Sequence, residues 1–205
     1  MIRLSMLIAC ALTLSACAAS HNHETLNNYL AKRGISAPSA NEFQSCRAYG
    51  CQKIDKPTLS KKDWKKIDKA FRRKAKSAEA ERKKIAKAIA AFEAIVGEQT
   101  GTSEDIFGTF EKTGAYQQDC VDESINTSIY LRVLEERGHL KFHRAYTPQS
   151  RVSMWRWPHQ TAVIQELETS ERYAVDSWFH DNGAPPEILP LKTWKKHWRP
   201  DNEQQ

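Results

Sequence analysis

The spacing of the apolar residues changes once along this chain, at Gly138. Before Gly138, apolar residues recur every three or four positions, which is the period of an amphipathic helix. After it, segments of roughly eight residues are apolar on alternate positions or throughout, and short polar segments separate them, which is typical of strands. Helices followed by neighbouring strands predict an α+β domain with a small antiparallel sheet, because strands that short turns connect pair antiparallel.

Two helical segments precede the helix that ends at Gly138. The sequence SKKD at Ser60 is a capping signal, and a helical pattern then runs from Lys61 to about Val96, with a break expected near Lys76 to Glu79. Its second half carries an apolar stripe made of Ile85, Ile89, Phe92 and Val96. Further upstream, the segment HETLNNYLAKRG predicts one short helix.

The first half of the Lys61 helix is strongly basic. Nine cationic side chains there outnumber Asp63 and Asp68: Lys61, Lys62, Lys65, Lys66, Lys69, Arg72, Arg73, Lys74 and Lys76. A charged segment of this kind is usually a solvated face. The alternative interpretation is contact with anionic lipid headgroups or lipopolysaccharide.

The segment QQDCVDESINTSIYL predicts a long helix whose first residue is Cys120. Asp119 is a favourable N-cap, and Gly138 offers a C-terminal stop. A thiol at this position faces unpaired backbone N–H groups and the positive end of the helix dipole, which lower its pKa and favour the thiolate. The alternative is a small apolar residue that packs in the core.

Three strands are expected after Gly138. They cover Leu140 to Thr147, His159 to Glu166 and Arg172 to Phe179, and the polar turn LETSE joins the last two. Because these last two strands are apolar on both alternating faces, we expect a sheet that is covered on both sides. The C-terminal segment PPEILPLKTWKKHW is expected to be irregular and to close with a helical turn.

The N-terminus predicts export. Arg3 precedes an apolar segment from Leu4 to Leu14, which is too short to span a bilayer permanently. The sequence Leu14-Ser15-Ala16-Cys17 resembles the lipobox of bacterial lipoprotein precursors, in which the cysteine receives lipid and becomes the new N-terminus. The resemblance implies a lipid anchor on Cys17 in the cell envelope, in the outer membrane and facing the periplasm. The alternative is an ordinary secretory signal that is cleaved near the same residues.

Export makes the cysteines informative, because disulfides persist in oxidising compartments. Cys46 and Cys51 are close enough in the sequence to form a disulfide across a tight loop. The alternative is a metal pair, which needs two further soft ligands that the sequence does not obviously supply. Cys120 is then left without a disulfide partner, and an unpaired thiol in such a compartment must be buried or used.

Cys120, His159 and Asp176 together form a candidate catalytic set. Thiol catalysis needs a thiolate, an imidazole that moves the proton, and a carboxylate or amide that orients the imidazole. A hairpin that turns at Leu167 and Glu168 brings His159 and Asp176 near each other. A packed, half-buried histidine is the alternative for His159, but a carboxylate in the apolar run AVDSWF requires a partner.

These residues resemble a known family. QDCVDES is similar to the DCxD segment of bacterial transglutaminase-like cysteine peptidases, and PHQTAVI and YAVDSWF resemble their His-bearing and Asp-bearing strands. The resemblance covers roughly Glu98 to Trp198. It implies a papain-like core with a Cys-bearing helix packed on the sheet. It also implies that Cys120 is the nucleophile, His159 the general base and acid, and Asp176 the orienting residue.

Several neighbouring residues are candidates for binding roles. The oxyanion hole is expected to use the Cys120 backbone N–H and a donor from Gln117 or Gln118, although both glutamines are equally compatible with a solvated loop. Three tryptophans flank the proposed histidine and aspartate, as groove walls or as core residues: Trp155, Trp157 and Trp178.

No cofactor is expected, and calcium is kept as an alternative. Asp119, Asp122 and Glu123 could supply oxygen ligands, as in some exported members of that family, but acids in a first helical turn are commoner as partners of the helix dipole. A zinc site that joins His139 and His143 to Cys120 is a further alternative.

The chain divides into a signal peptide (1–16), a lipidated tether (17–58), a helical region with a basic face (59–97), a transglutaminase-like catalytic core (98–200) and a disordered tail (201–205). The leading hypothesis is a membrane-anchored thiol hydrolase or acyltransferase that acts on peptide or isopeptide amide bonds of the envelope. The alternative is a catalytically silent lipoprotein that binds an envelope partner. Nucleic acid is not an expected partner of an exported protein, and the sequence does not define an oligomeric state.

Overall fold

The computed structural model describes residues 25–108, 114–153 and 156–201. The predicted lipobox with Cys17 lies outside these residues, as do Trp155 and the side chain of Trp157. Within them, the chain is a mixture of helices and small antiparallel sheets, which confirms the predicted α+β class. None of the helices in these ranges is long and apolar enough to cross a bilayer.

The elements follow one another along the chain as helices first and sheet second, apart from one early hairpin and a short final helix. In order, they are α1 (25–31), β1 (Ser45–Arg47), β2 (Lys53–Asp55), α2 (Lys61–Asp68), α3 (Ala78–Thr100), α4 (Cys120–Glu136), β3 (His143–Ser153), β4 (Arg156–Glu166), β5 (Arg172–Asp176), β6 (Glu187–Pro190) and α5 (Leu191–Trp194).

Helix α2 begins at the predicted residue, Lys61, and ends before the predicted break near Lys76. Ser60 caps it in a capping box with Asp63, as expected. The helix stops at Asp68, a single 3-10 turn follows, and α3 begins only at Ala78 behind the N-cap Ser77. The break is therefore wider than the predicted one, which is consistent with like charges four residues apart, such as Lys69 and Arg73, that destabilise a helix.

Helix α4 confirms the prediction that Cys120 is its first residue. Asp119 accepts hydrogen bonds from the N–H groups of Val121 and Asp122, and the Asp122 side chain returns to the Asp119 N–H in a capping box. The apolar stripe of α4 is fully buried, and Gly138 takes the left-handed conformation (φ 72°) just beyond the end of the helix.

The main sheet has four antiparallel strands in the order β3-β4-β5-β6. Strand β3 begins at His143 rather than Leu140, and β4 begins at Arg156, so His159 lies inside its strand and does not open it. Strand β5 ends at Asp176 instead of continuing to Phe179. The expected irregular C-terminal segment instead supplies β6, a short edge strand in which the proline of EILP is tolerated.

Both faces of the sheet are covered, as predicted. On one face, Ala162, Ile164 and Val175 join a large core with α3 and α4. On the other face, Val163 and Ala174 pack with Leu191 and Trp194 of α5. Side chains of α1 and of the following loop also enter the large core, so this part of the predicted tether packs onto the domain: Leu26, Leu30, Ile35 and Phe43.

The Cys46–Cys51 disulfide is present, which confirms the predicted pair. It closes the loop between β1 and β2, and α4 holds this loop through polar contacts. Asn126 accepts a hydrogen bond from the Cys46 N–H at 2.7 Å, and Asp122 accepts from the N–H groups of Tyr49 (2.7 Å) and Cys51 (2.6 Å). The disulfide loop is thus fixed against the first turns of the helix that carries Cys120.

Candidate active site

Cys120 is a partly buried free thiol at the N-terminus of α4. Burial raises its pKa to about 12, against a smaller lowering by the backbone N–H of Gln160, which donates to the sulfur. The negative charges of Asp119 and Asp176 raise the pKa further. The expected lowering of the thiol pKa is therefore wrong for the resting site, because desolvation of the sulfur outweighs the favourable position at the helix end.

His159 and Asp176 lie together in the sheet. Continuing the register of β4 and β5 places Thr161 opposite Asp176, so His159 is a diagonal neighbour on the same face. The His159 Nε2 and the Asp176 Oδ2 are 2.8 Å apart, and the two residues are only 7% and 1% exposed. Trp194 Nε1 donates a second hydrogen bond to the same carboxylate oxygen at 2.6 Å. An ionised Asp176 therefore accepts from both partners and holds the proton of His159 on Nε2.

The other imidazole nitrogen of His159 has no hydrogen-bond partner in the part of the chain that the structure describes. This atom, Nδ1, is buried. With the proton on Nε2, it carries a lone pair and is the basic atom of the ring. Aromatic rings fix the imidazole in place, with centroid distances of 4.8 Å to Trp178, 5.2 Å to Phe179 and 5.5 Å to Trp194.

Gln160 links its own strand, β4, to the helices α4 and α1. Its backbone N–H donates to the Cys120 sulfur, and its side-chain N–H donates to Ser124 Oγ in α4 at 2.6 Å. Its side-chain oxygen accepts a hydrogen bond from the Tyr29 hydroxyl in α1 at 2.9 Å. Because Gln160 follows His159 directly in β4, the sulfur lies beside the strand that carries the imidazole. Among the described residues no hydrogen bond joins the sulfur to the ring, since Nδ1 has no partner and Nε2 is bound to Asp176.

Sequence reasoning missed both Gln160 and Tyr29. Gln160 had a usable signal, since it is a polar residue beside the proposed histidine in a strand with apolar faces. Tyr29 had none, because it lies 131 residues away from Gln160 in the sequence. The Arg33 guanidinium stacks over the Tyr29 ring at 4.0 Å and adds a positive charge beside this contact.

The donors of Gln117 and Gln118, the oxyanion candidates, have other partners. The Gln117 side chain donates to Glu104 O at 2.9 Å, and the Gln118 side chain donates to Cys46 O at 2.9 Å. The Gln118 backbone N–H donates to Asp105 Oδ1 at 2.7 Å. The N–H groups that point at the Cys120 sulfur are those of Gln160 and of Cys120 itself.

The calcium candidates are each used in a different contact. Asp119 caps α4, Asp122 binds the disulfide loop, and Glu123 is buried and hydrogen-bonded to Asp105. In the described ranges, one group of three residues has potential metal-ligand atoms within 4.8 Å of one another. It consists of Cys46, Cys51 and Asp122, and its two sulfurs are joined in the disulfide. Calcium binding stays a prediction.

The two histidines of the zinc alternative belong to separate networks. The His139 Nε2 and the Asp68 Oδ1 are 2.8 Å apart, and the His139 ring stacks on Phe71. The His143 side chain is fully buried, with its Nδ1 2.9 Å from Glu81 Oε1. Both rings are thus held by carboxylates of the helical region.

A cluster of buried carboxyl groups lies beside the site. Glu93 of α3 accepts hydrogen bonds from Ser177 and from the Gly183 N–H, and Asp105 is hydrogen-bonded to Glu123 of α4. Burial raises the pKa of Glu93 and of Asp105 to about 7, and it raises that of Glu123 well above its ordinary value. The cluster therefore retains protons near neutral pH.

The structure joins an imidazole to a buried carboxylate and places a thiol against the backbone of the next residue of the same strand. These are the groups that thiol-based acyl transfer requires. They come from the first turn of α4, from β4 and from the end of β5, and α1 packs beside them. Comparisons of the chain with protein-family models, with curated proteins and with solved structures found no match.

Proposed function

We propose that this protein is an exported, lipid-anchored thiol hydrolase or acyltransferase that acts on peptide or isopeptide amide bonds. Cys120 is the nucleophile, His159 the general base and acid, and Asp176 the orienting residue. One observation carries the proposal. His159 is buried with its Nε2 held by Asp176, and the residue that follows it in β4, Gln160, donates its backbone N–H to the sulfur of the free thiol Cys120.

The first chemical step makes the nucleophile. His159 Nδ1 takes the proton of the Cys120 thiol, and the sulfur attacks the carbonyl carbon of the amide. The resting thiol is protonated because burial raises its pKa to about 12, so the imidazolium that forms must stabilise the thiolate beside it. Asp176 stabilises that imidazolium through the hydrogen bond to Nε2.

The second step breaks the amide bond. The tetrahedral intermediate collapses as His159 Nδ1 returns its proton to the leaving nitrogen, which departs as an amine and leaves a thioester on Cys120. The oxyanion of the intermediate is stabilised by the backbone N–H groups of Cys120 and Gln160, which already point at the sulfur. Water or a second amine then attacks the thioester and releases an acid or a new amide.

The proposed architecture is a transglutaminase-like core. A cysteine at the start of a helix that packs on an antiparallel sheet, with a histidine and an aspartate on adjacent strands, supports it. The anchor at Cys17 is supported by the lipobox-like sequence alone, and it places the site in the cell envelope, where a protein or peptide is the substrate.

A second candidate function is a catalytically silent protein that uses the same fold to bind an envelope partner. The raised pKa of Cys120 favours it, because a thiol that stays protonated is a poor nucleophile. A protein without catalytic activity also agrees with the finding that His159 Nδ1 has no hydrogen-bond partner in the described parts of the chain.

Alkylation of the native protein distinguishes the two functions. The rate at which iodoacetamide labels the Cys120 peptide is followed by mass spectrometry at about pH 7, below the free-thiol pKa of about 8.5. For the enzyme, the imidazolium of His159 must lower the thiol pKa by more than burial raises it. We then expect labelling of the native protein that is faster than labelling of the unfolded chain and that His159→Ala abolishes. His139→Ala, which removes another carboxylate-bound histidine, is the matched control and should leave the rate unchanged. Labelling only after unfolding would establish the silent alternative.

A further inference from the structure

The positive charge of this chain is concentrated in one surface. The segment 61–76 contains nine Lys and Arg residues and two Asp residues, while the whole chain carries a net charge of +6. The segment alone therefore exceeds the net charge of the molecule. We call its cationic residues the basic face: Lys61, Lys62, Lys65, Lys66, Lys69, Arg72, Arg73, Lys74 and Lys76.

The structure presents five of these residues on one side of α2 and its C-cap, and the other four follow in the segment between the 3-10 turn and α3. Lys61, Lys65 and Lys69 are four residues apart and lie one above the other, and Lys62 and Lys66 form a second row next to them. The whole basic face is exposed. Among the described residues, one carboxylate lies within 4.0 Å of a cationic group of the basic face. It is that of Asp63, whose Oδ1 is 3.9 Å from Lys66 Nζ. The charges are thus left for a partner outside the chain.

The opposite side of α2 is fixed to the domain. Ile67 is fully buried, and the Trp64 ring packs edge-on against Phe92 at 5.9 Å. The Arg137 guanidinium lies 3.9 Å from the centre of the Trp64 ring and also binds Asp68 at 2.9 Å. The part of the basic face that α2 carries is therefore fixed to the domain, and its lysines do not lose backbone freedom on binding.

A depression opens beside the basic face. Lys66, Lys69 and Lys87 line it together with Ala70, and its volume is about 280 Å³. Three ammonium groups around one concave site suit a phosphate group, since lysine binds phosphate as a mobile point charge. The depression and the two lysine rows together suit a surface on which phosphates repeat.

We propose that the basic face binds the headgroups of anionic phospholipids and so holds this protein flat against a membrane. A row of lysines one helical turn apart meets many phosphates at once on a bilayer surface, and juxtamembrane cationic residues add to one another in this way. The export signal at the N-terminus brings the chain to a compartment bounded by such membranes. This inference does not depend on the thiol chemistry.

Vesicle binding tests the proposal in the absence of a lipid anchor. The Cys17→Ser chain is mixed with vesicles of phosphatidylcholine alone or with an equal share of phosphatidylglycerol, and the bound fraction is measured by sedimentation. We expect binding to the anionic vesicles only, weakened as salt rises from about 0.05 M to about 0.5 M. Replacing Lys61, Lys62, Lys65, Lys66 and Lys69 by Gln should weaken binding by at least about ten-fold.

A matched variant controls for net charge. It replaces five exposed lysines elsewhere, Lys32, Lys53, Lys56, Lys141 and Lys196, by Gln, and it should bind vesicles within about three-fold of the parent. Melting curves of both variants verify that they fold. Equal losses in the two variants, binding to neutral vesicles, or abolition of vesicle binding by inorganic phosphate at constant ionic strength would each overturn the proposal. Tighter binding to duplex DNA than to anionic vesicles would do the same.

Discussion

At the scale of single residues, His159 determines what the site can do. Its two nitrogens have different environments: Nε2 is bound to Asp176, and Nδ1 is buried without a hydrogen-bond partner in the described residues. A histidine that only filled space would not need a buried carboxylate behind it. The cost of burying Asp176 is offset by its two hydrogen bonds, from His159 and from Trp194.

Asp176→Asn tests this arrangement. The amide keeps the size of the side chain and can still accept a hydrogen bond, so the melting temperature should change little. The reactivity of Cys120 with iodoacetamide should fall by roughly ten-fold or more, because the imidazolium loses its carboxylate. Asp68→Asn, which alters the surface pair with His139, is the control and should have no effect on this rate. A lower melting temperature with unchanged reactivity per native molecule would show that Asp176 is structural.

Tyr29→Phe tests the link through Gln160. The substitution keeps the ring that packs under Arg33 and removes the hydroxyl that binds the Gln160 side chain. We expect the pH profile of Cys120 alkylation to move to higher pH and the rate at neutral pH to fall about two- to ten-fold, as for one lost hydrogen bond. Tyr146→Phe removes a hydroxyl that accepts a hydrogen bond from Arg172, at a position away from the thiol. This control should leave the pH profile of Cys120 alkylation unchanged. The same profile for both variants would contradict a positioning role for Tyr29.

At the scale of elements, the buried carboxyl cluster joins α3, α4 and the loop that contains Asp105. The side chains of Glu93 and Glu123 project from different helices, and both are almost completely buried. The charge of Glu93 raises the pKa of Glu123 in addition to the effect of burial, and the charge of Asp105 raises the pKa of both. Helices α3 and α4 can therefore approach closely here only while the cluster keeps protons, which makes their packing dependent on pH.

The stability of the fold should fall as the pH rises. Between the ordinary carboxyl pKa near 4 and the raised pKa of about 7, the folded protein binds more protons than the unfolded chain, so the free energy of unfolding decreases with pH. We expect this decrease in urea unfolding curves recorded between about pH 4.5 and pH 8. Glu93→Gln should flatten it. Glu98→Gln, an exposed position on the same helix, should not, and an unchanged slope in Glu93→Gln would contradict the role of the cluster.

At the scale of the whole molecule, local signals predicted the elements and distant contacts escaped prediction. Asp119 and Gly138 mark the ends of α4 because capping depends on a few adjacent residues. The pairing of Tyr29 with Gln160 and the strand β6 depend on the packed fold, which no local pattern contains. The pKa of Cys120 also escaped prediction, since the helix end is a local feature whereas burial results from the whole domain.

The proposed lipid anchor concerns the whole molecule, and one substitution tests it. Cys17→Ser should abolish incorporation of labelled fatty acid, because the lipobox-like sequence then lacks its acceptor sulfur. The protein should move from the membrane fraction to the soluble envelope fraction at high salt, which also removes the contribution of the basic face. Cys120→Ser should change neither result. A Cys17→Ser protein that still carries lipid would show that the lipobox interpretation is wrong.

The contact between α1 and the thiol site determines how far the proposed active site can lie from the proposed anchor. Tyr29 lies beside Gln160, and α1 is described from Thr25, eight positions after the proposed lipid attachment at Cys17. Eight residues span at most about 28 Å even when fully extended. The proposed anchor and the proposed activity together predict an enzyme that works in a layer a few nanometres deep. Amide bonds that are themselves confined to the membrane surface meet it by lateral diffusion, whereas soluble peptides meet it only when they enter that layer.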